Sequence, residues 1–134
     1  MASVRALIVD EGRILLLQRA EATSRTGQWC LPGGRIQALE KAEAAVVRET
    51  FEEAGVKIRV LHPLRSFGSC TYFLCELSPG GQTVCLQSRE CQAWAWAEAG
   101  AIEAIGMIMD YRQLKQILAE PIAPPLASPF EPQD

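Results

Sequence analysis

Residues 34–56 read GRIQALEKAEAAVVRETFEEAGV, and this stretch decides the fold. Its second half is rich in alanine, glutamate and valine, which predicts a helix over 40–54, and Gly55 supplies the stop. With Arg48 set at zero and about 100° per residue, Glu52 falls near 40°, Glu49 near 100° and Glu53 near 140°. Ala44, Val47, Phe51 and Ala54 fall between roughly 240° and 320°, the expected core-facing side. Ala42 and Ala45 lie beneath the glutamates and leave room above them. Carboxylates at i, i+3 and i+4 repel one another unless something neutralises them. Two readings follow: a solvated acidic face with Arg48 as its counter-ion, or a site for a hard cation such as Mg²⁺.

Upstream, Pro32-Gly33-Gly34 reads as a turn whose backbone can approach a ligand with no Cβ in the way. A carbonyl there and the carboxylates beyond it would make an oxygen cage with positions open to phosphate and water. Such a cage suits attack of water on phosphorus. Trp29-Cys30-Leu31 reads as a short strand, residues 20–28 as a loop, and Ser3–Asp10 and Arg13–Gln18 as strands of a hairpin turning at Glu11-Gly12. Downstream, Val56–Leu61 alternates like a strand. Cys70–Leu77 and Gln82–Gln87 flank Ser-Pro-Gly-Gly, a predicted second hairpin. Cys91–Ala97 is a further strand, 99–105 a short helical turn, and Asp110 the N-cap of a helix through Leu118. The fold class is α/β, with a mixed β-sheet between helices.

The 134 residues and 14.7 kDa make one domain, set at 1–120. Residues 121–134 hold five of the eight prolines and form a proline-rich tail with nothing periodic to pack. A net charge of −3 argues against a nucleic acid polymer as partner. No apolar run is long enough to span a membrane, and the N-terminus does not read as a signal peptide. The five cysteines lack metal-ligand spacing and read as reduced thiols, so a cytoplasmic protein is expected. His62, the only histidine, has no nucleophile motif around it and reads as a surface residue.

The 34–56 stretch resembles the Nudix box, G-x5-E-x7-R-E-U-x-E-E-x-G-U, where U is a bulky aliphatic residue. Gly34, Glu40, Arg48, Glu49, Glu52, Glu53 and Gly55 fill every fixed letter in register. Thr50 replaces the first aliphatic; its hydroxyl is expected to bond back to the carbonyl of Val46. Ala38-Leu39 stands where many members have Pro-Gly.

The resemblance implies a MutT-like Nudix hydrolase with an α/β/α sandwich, acting on small-molecule nucleotide substrates with Mg²⁺ or sometimes Mn²⁺. It implies Glu49, Glu52, Glu53 and the Gly33 carbonyl as metal ligands and Arg48 as the group orienting a box glutamate. The general base is Glu52 or Glu49, with Glu90 as the loop alternative. The substrate-side candidates are Trp29, Gly34, Tyr72, Phe73 and Asp110, with Trp94 a further ring for stacking. A nucleoside triphosphate, split into monophosphate and pyrophosphate, is the first expectation. Tyr72 resembles the tyrosine of dinucleoside polyphosphate hydrolases, so that class or a nucleotide sugar is the alternative. A nucleotide-sensing module that has lost catalysis is the reading from another class. Either a monomer or a homodimer is compatible with the chain.

Overall fold

The computed structural model describes residues 2–21, 23–87 and 89–120, so the proline-rich tail lies outside it. The elements run β1 (Ser3–Asp10), β2 (Arg13–Arg19), β3 (Trp29–Cys30), β4 (Gly33–Arg35), α1 (Ala42–Ala54), β5 (Ile58–Phe67), β6 (Cys70–Leu77), β7 (Cys91–Glu98), a 3₁₀ turn (Ala99–Ala101), α2 (Ile102–Ile105) and α3 (Tyr111–Ala119). β1 organises the sheet. It runs parallel to β6 from Ser3 opposite Cys70 to Ile8 opposite Cys75. On its other side β4 pairs antiparallel at the start, Val4 opposite Gly34, and β2 pairs at the end, Val9 opposite Ile14. β2 continues away from β1 to pair with β7 along its whole length.

The two-residue period of the strands sends alternate side chains to two cores. Val4, Ala6 and Ile8, with Leu15, Leu17, Phe73 and Cys75, meet Ala45, Val46 and Ala54 of α1. Leu7, Leu16, Tyr72 and Leu74 meet Ile102 of α2 and Leu114 and Ile117 of α3 on the other side. The result is a mixed sheet between helices, as expected.

Several local readings change. α1 starts at Ala42 rather than Glu40, because the Glu40 side chain closes the preceding loop by accepting from the Gln37 amide at 2.9 Å. Pro32-Gly33-Gly34 is not a free turn, since Gly33 and Gly34 belong to β4. The second hairpin is β5–β6, turning at 68–69, and β5 runs to Phe67 with His62 exposed in its interior. Residues 82–87, expected as a hairpin strand, pair with no strand; Val84 is buried, and their amides meet a helix end: Cys85 N–H donates to Ala54 O and Gln87 N–H to Glu53 O. They satisfy carbonyls that the last turn of α1 leaves without helical partners. Gly55 ends that turn at φ 70°.

The orientation of α1 is the largest correction. Its buried residues are Ala45, Val46, Thr50 and Ala54, while Phe51 is 47% exposed and Ala44 is exposed. On the same wheel the buried arc runs from about 60° to about 240°, so it contains the positions of Glu49 and Glu53. Small alanines and a threonine face the sheet, and the large Phe51 does not. Thr50 is fully buried, yet its Oγ1 has no hydrogen-bond partner, so the expected bond to Val46 is not made.

A buried hydroxyl without a partner costs about 1–3 kcal/mol. Thr50→Val keeps the shape and removes that group. It should raise stability by about 1 kcal/mol or more in a denaturant melt.

Candidate active site

Three of the four box glutamates line a cleft of about 840 Å³, and Glu40 does not. α1 contributes Glu49, Glu52 and Glu53; β4 contributes Gly33 and Gly34; the segment before β7 contributes Glu90. Arg5, Arg19, Arg25 and Arg35 line the same cleft, as do Met109 and Asp110 at the start of α3.

Arg48 holds the acidic side together. Its Nε and Nη2 donate to the two oxygens of Glu40 at 2.7 and 3.0 Å. Nη1 donates to Glu49 at 3.2 Å and to Glu52 at 3.1 Å, and Nη2 also reaches the Arg35 carbonyl at 3.1 Å. This planar fork suits carboxylates, and lysine could not reproduce it. The hydrogen bonds from Arg48 and then from the Gln37 amide lower the pKa of Glu40. Those carboxylates raise the pKa of Arg48 in return, led by the Glu40 hydrogen bond.

Glu53 lies deeper. Burial pushes its pKa up to about 7, against the opposing pull of the Gly33 amide and of Arg5. Gly33 N–H donates to Glu53 Oε1 at 3.1 Å. Glu49 is also raised, chiefly by burial, with Arg48 opposing. Glu90 adds a like charge that raises both groups, which puts it electrostatically in the same site. Gly34 makes this packing possible: a Cβ there would run into the carboxylate of Glu49. At Gly33 a Cβ would strike the Val4 carbonyl.

The donors fit a hard divalent cation, being carboxylate oxygens in a partly desolvated cleft. Among the described residues, however, no three acidic, histidine or cysteine side chains are gathered closely enough to hold one ion as they stand. Arg48 engages Glu49 and Glu52, and the Gly33 amide engages Glu53.

The substrate-side candidates divide. Gly34 and Asp110 line the cleft. Trp29, Tyr72 and Phe73 do not. Phe73 is buried in the core beneath α1. Tyr72 is buried on the opposite face, edge-on to Phe67, with its hydroxyl donating to Gln113 at 3.2 Å. Trp29 packs against the same second core. Trp94 is exposed on β7, outside the cleft. Asp110 occupies the N-cap position but makes no capping bond with its side chain. At φ 57° its carboxylate meets Arg25 instead, at 3.4 Å across the cleft mouth.

The family model for the NUDIX domain matches residues 1–117. The chain belongs to the Nudix family. It is 37% identical over 92 residues to putative nudix hydrolase 1 of Caenorhabditis elegans, covering 65% of this chain and 25% of that protein. It is 39% identical over 57 residues to the CTP pyrophosphohydrolase of Escherichia coli K12, covering 42% of each. The chain thus spans less than half the length of these curated relatives. A MutT protein from Methanosarcina mazei Go1 superposes with a TM-score of 0.69 at 26% identity, covering 92% of this chain and 96% of that one. An Ap4A hydrolase from C. elegans superposes at 0.68 with 25% identity, covering 87% and 92%.

The Nudix box supplies the acidic wall of the cleft, and sequence reading missed the basic one. Arg5 interrupts the apolar run Val4 to Val9, and Arg19 ends Leu15-Leu16-Leu17-Gln18. A charge inside a buried strand was the available signal. Arg5 donates to the Leu31 carbonyl at 3.0 Å and Arg19 to the Ser24 carbonyl at 2.8 Å. Each guanidinium has five N–H donors, so further donors remain for a ligand.

The raised Glu53 fixes a pH dependence. A folded pKa of about 7 exceeds the ordinary glutamate value of 4.5, so the folded state binds the extra proton. This contribution is fully present below pH 4.5 and is lost as pH rises through about 7. The metal-free protein should lose on the order of 2–3 kcal/mol across that range. Glu53→Gln should flatten the decline in denaturant melts taken at a series of pH values.

Proposed function

We propose that the chain is a metal-dependent hydrolase of a phosphoanhydride bond in a nucleoside diphosphate-linked substrate, first of all a nucleoside triphosphate. The observation that carries this reading is one cleft lined by Glu49, Glu52, Glu53 and Glu90 together with Arg5, Arg19, Arg25 and Arg35. The carboxylates suit a cation and the guanidinium groups suit phosphate oxygens. Relatives named a CTP pyrophosphohydrolase and putative 8-oxo-dGTP diphosphatases support the reading.

Glu49, Glu52, Glu53 and the Gly33 carbonyl would hold Mg²⁺ or Mn²⁺. When bound, the ion supplies charge neutralisation at the phosphate oxygens and a lowered pKa for water. Arg48 keeps Glu49 and Glu52 oriented, and the Gly33 amide keeps Glu53 in place. Glu52 has the most open carboxylate of the three, with a side chain 54% exposed, and is proposed as the group that takes the proton from water. Glu90, in the same cleft, is the other candidate for that proton. Arg5 and Arg19 would orient the phosphate chain for in-line attack. Release of pyrophosphate and a nucleoside monophosphate closes the reaction.

The triphosphate reading gains from the placement of two side chains. Tyr72, the feature that favoured a dinucleoside polyphosphate, is a core residue bonded to Gln113. Asp110 is not used up by capping and faces the cleft, where it can accept from a base.

Glu53→Gln keeps the size of the side chain and removes its charge. Turnover of a nucleoside triphosphate at saturating Mg²⁺ should fall by about 10²-fold or more, with folding retained. Wild-type turnover in this variant would remove Glu53 from the site. Mg²⁺ should also stabilise the folded wild type by ~1–3 kcal/mol at ten- to a hundredfold above Kd. That gain should be larger at pH 7.5 than near pH 5, because protons compete for the same oxygens. A thermal melt of wild type and of Glu49→Gln/Glu53→Gln, with and without Mg²⁺, reads this directly. Equal gains in both proteins would place the ion elsewhere.

A further inference from the structure

Among the described strands the sheet has several free edges, and all but one are blunted. β3 is two residues long and β4 three. β5 carries Pro63, two register shifts against β6 and the exposed Arg59 and Arg65. Short strands, prolines, bulges and edge charges are the devices by which proteins refuse an added strand. β7 is different. It is eight residues long and, among the described strands, pairs only with β2. Its single charged residue, Glu98, stands at its end, and its one register shift falls at the Cys91 end. Trp94, in mid-strand, is 41% exposed.

The strand is also self-complementary. Ala93-Trp94-Ala95-Trp96-Ala97 reads the same in both directions. Two copies paired antiparallel about Ala95 set Trp94 of one opposite Trp96 of the other, on one face, and Ala93 opposite Ala97. Glu98 then faces Gln92, so no like charges meet. Cross-strand aromatic pairs stabilise such ladders. A two-fold interface must match itself, and this strand does.

We propose that β7 is a homodimer edge, pairing with β7 of a second copy of this chain in antiparallel register about Ala95. The pairing joins two sheets into one and closes on itself, so it leaves only the blunted edges exposed. It involves no cleft residue and is independent of the reaction proposed above.

Sedimentation of the full chain should give twice the 14.7 kDa chain mass, dissociating only on dilution. Trp94→Lys places a charge on the exposed edge and should sediment as the single chain, with wild-type turnover. Ala95→Cys tests the register and stands even where the lysine variant does not fold. Directly opposed residues lie about 4.5–5.5 Å apart in Cα, within disulfide reach, so two copies should cross-link under mild oxidation where wild type does not. A wild type that sediments as one chain at every concentration overturns the proposal, whether the edge is open or covered by the chain's own C-terminal residues. A dimer that survives Trp94→Lys and is not cross-linked through Ala95→Cys overturns it as well.

Discussion

The site depends on one guanidinium. Arg48 binds both oxygens of Glu40, one oxygen each of Glu49 and Glu52, and the Arg35 carbonyl. It thereby ties the loop between β4 and α1 to the helix that follows. It also supplies the positive charge without which neighbouring carboxylates would oppose the helix. The guanidinium is half-buried, so the pairs are screened less than surface ion pairs.

The second constraint is the rotation of α1. Glu53 and Glu49 belong to the buried arc, and the sheet side of the helix is built from small residues to allow it. Burial raises both carboxylates, and the Gly33 amide, Arg48 and Arg5 oppose that rise. Two glycines in β4 let the backbone come close enough for the amide to help. The metal-free site is thus a stressed arrangement, with satisfied hydrogen bonds holding charges that burial disfavours. A cation on those oxygens, as proposed above, would relieve the same stress and would couple stability to catalysis through Glu53.

The cleft joins this acidic wall to a basic one from different parts of the chain. Arg5 comes from β1, Arg19 from β2, Arg25 from the following loop and Arg35 from β4. Their convergence follows from β1 lying beside both β4 and β2 at its two ends. Asp110 joins them because the segment before α3 lies along β3, with Trp29 N–H donating to Met107 O and Met109 N–H to Trp29 O.

The sequence alone determined the family, the box residues, the existence of most strands and helices and many of their ends. These depend on short-range spacing: Gly34 to Gly55 stand in fixed register, and β1, β2 and β6 each hold a short continuous apolar run, the pattern of strands buried on both faces. The tertiary structure alone decided which face of α1 is buried, since alanine and threonine carry too weak a pattern for Phe51 to be recognised as the outward residue. It alone decided that β6 pairs with β5 and that residues 82–87 finish α1, because an alternating segment bonds equally well to a strand or to the open carbonyls of a helix end. It alone separated Tyr72 and Phe73, which fill the two cores, from Asp110 and the arginines, which face the cleft. Whether a side chain lines a site or fills a core depends on what the rest of the chain places over it, and that is set by long-range packing.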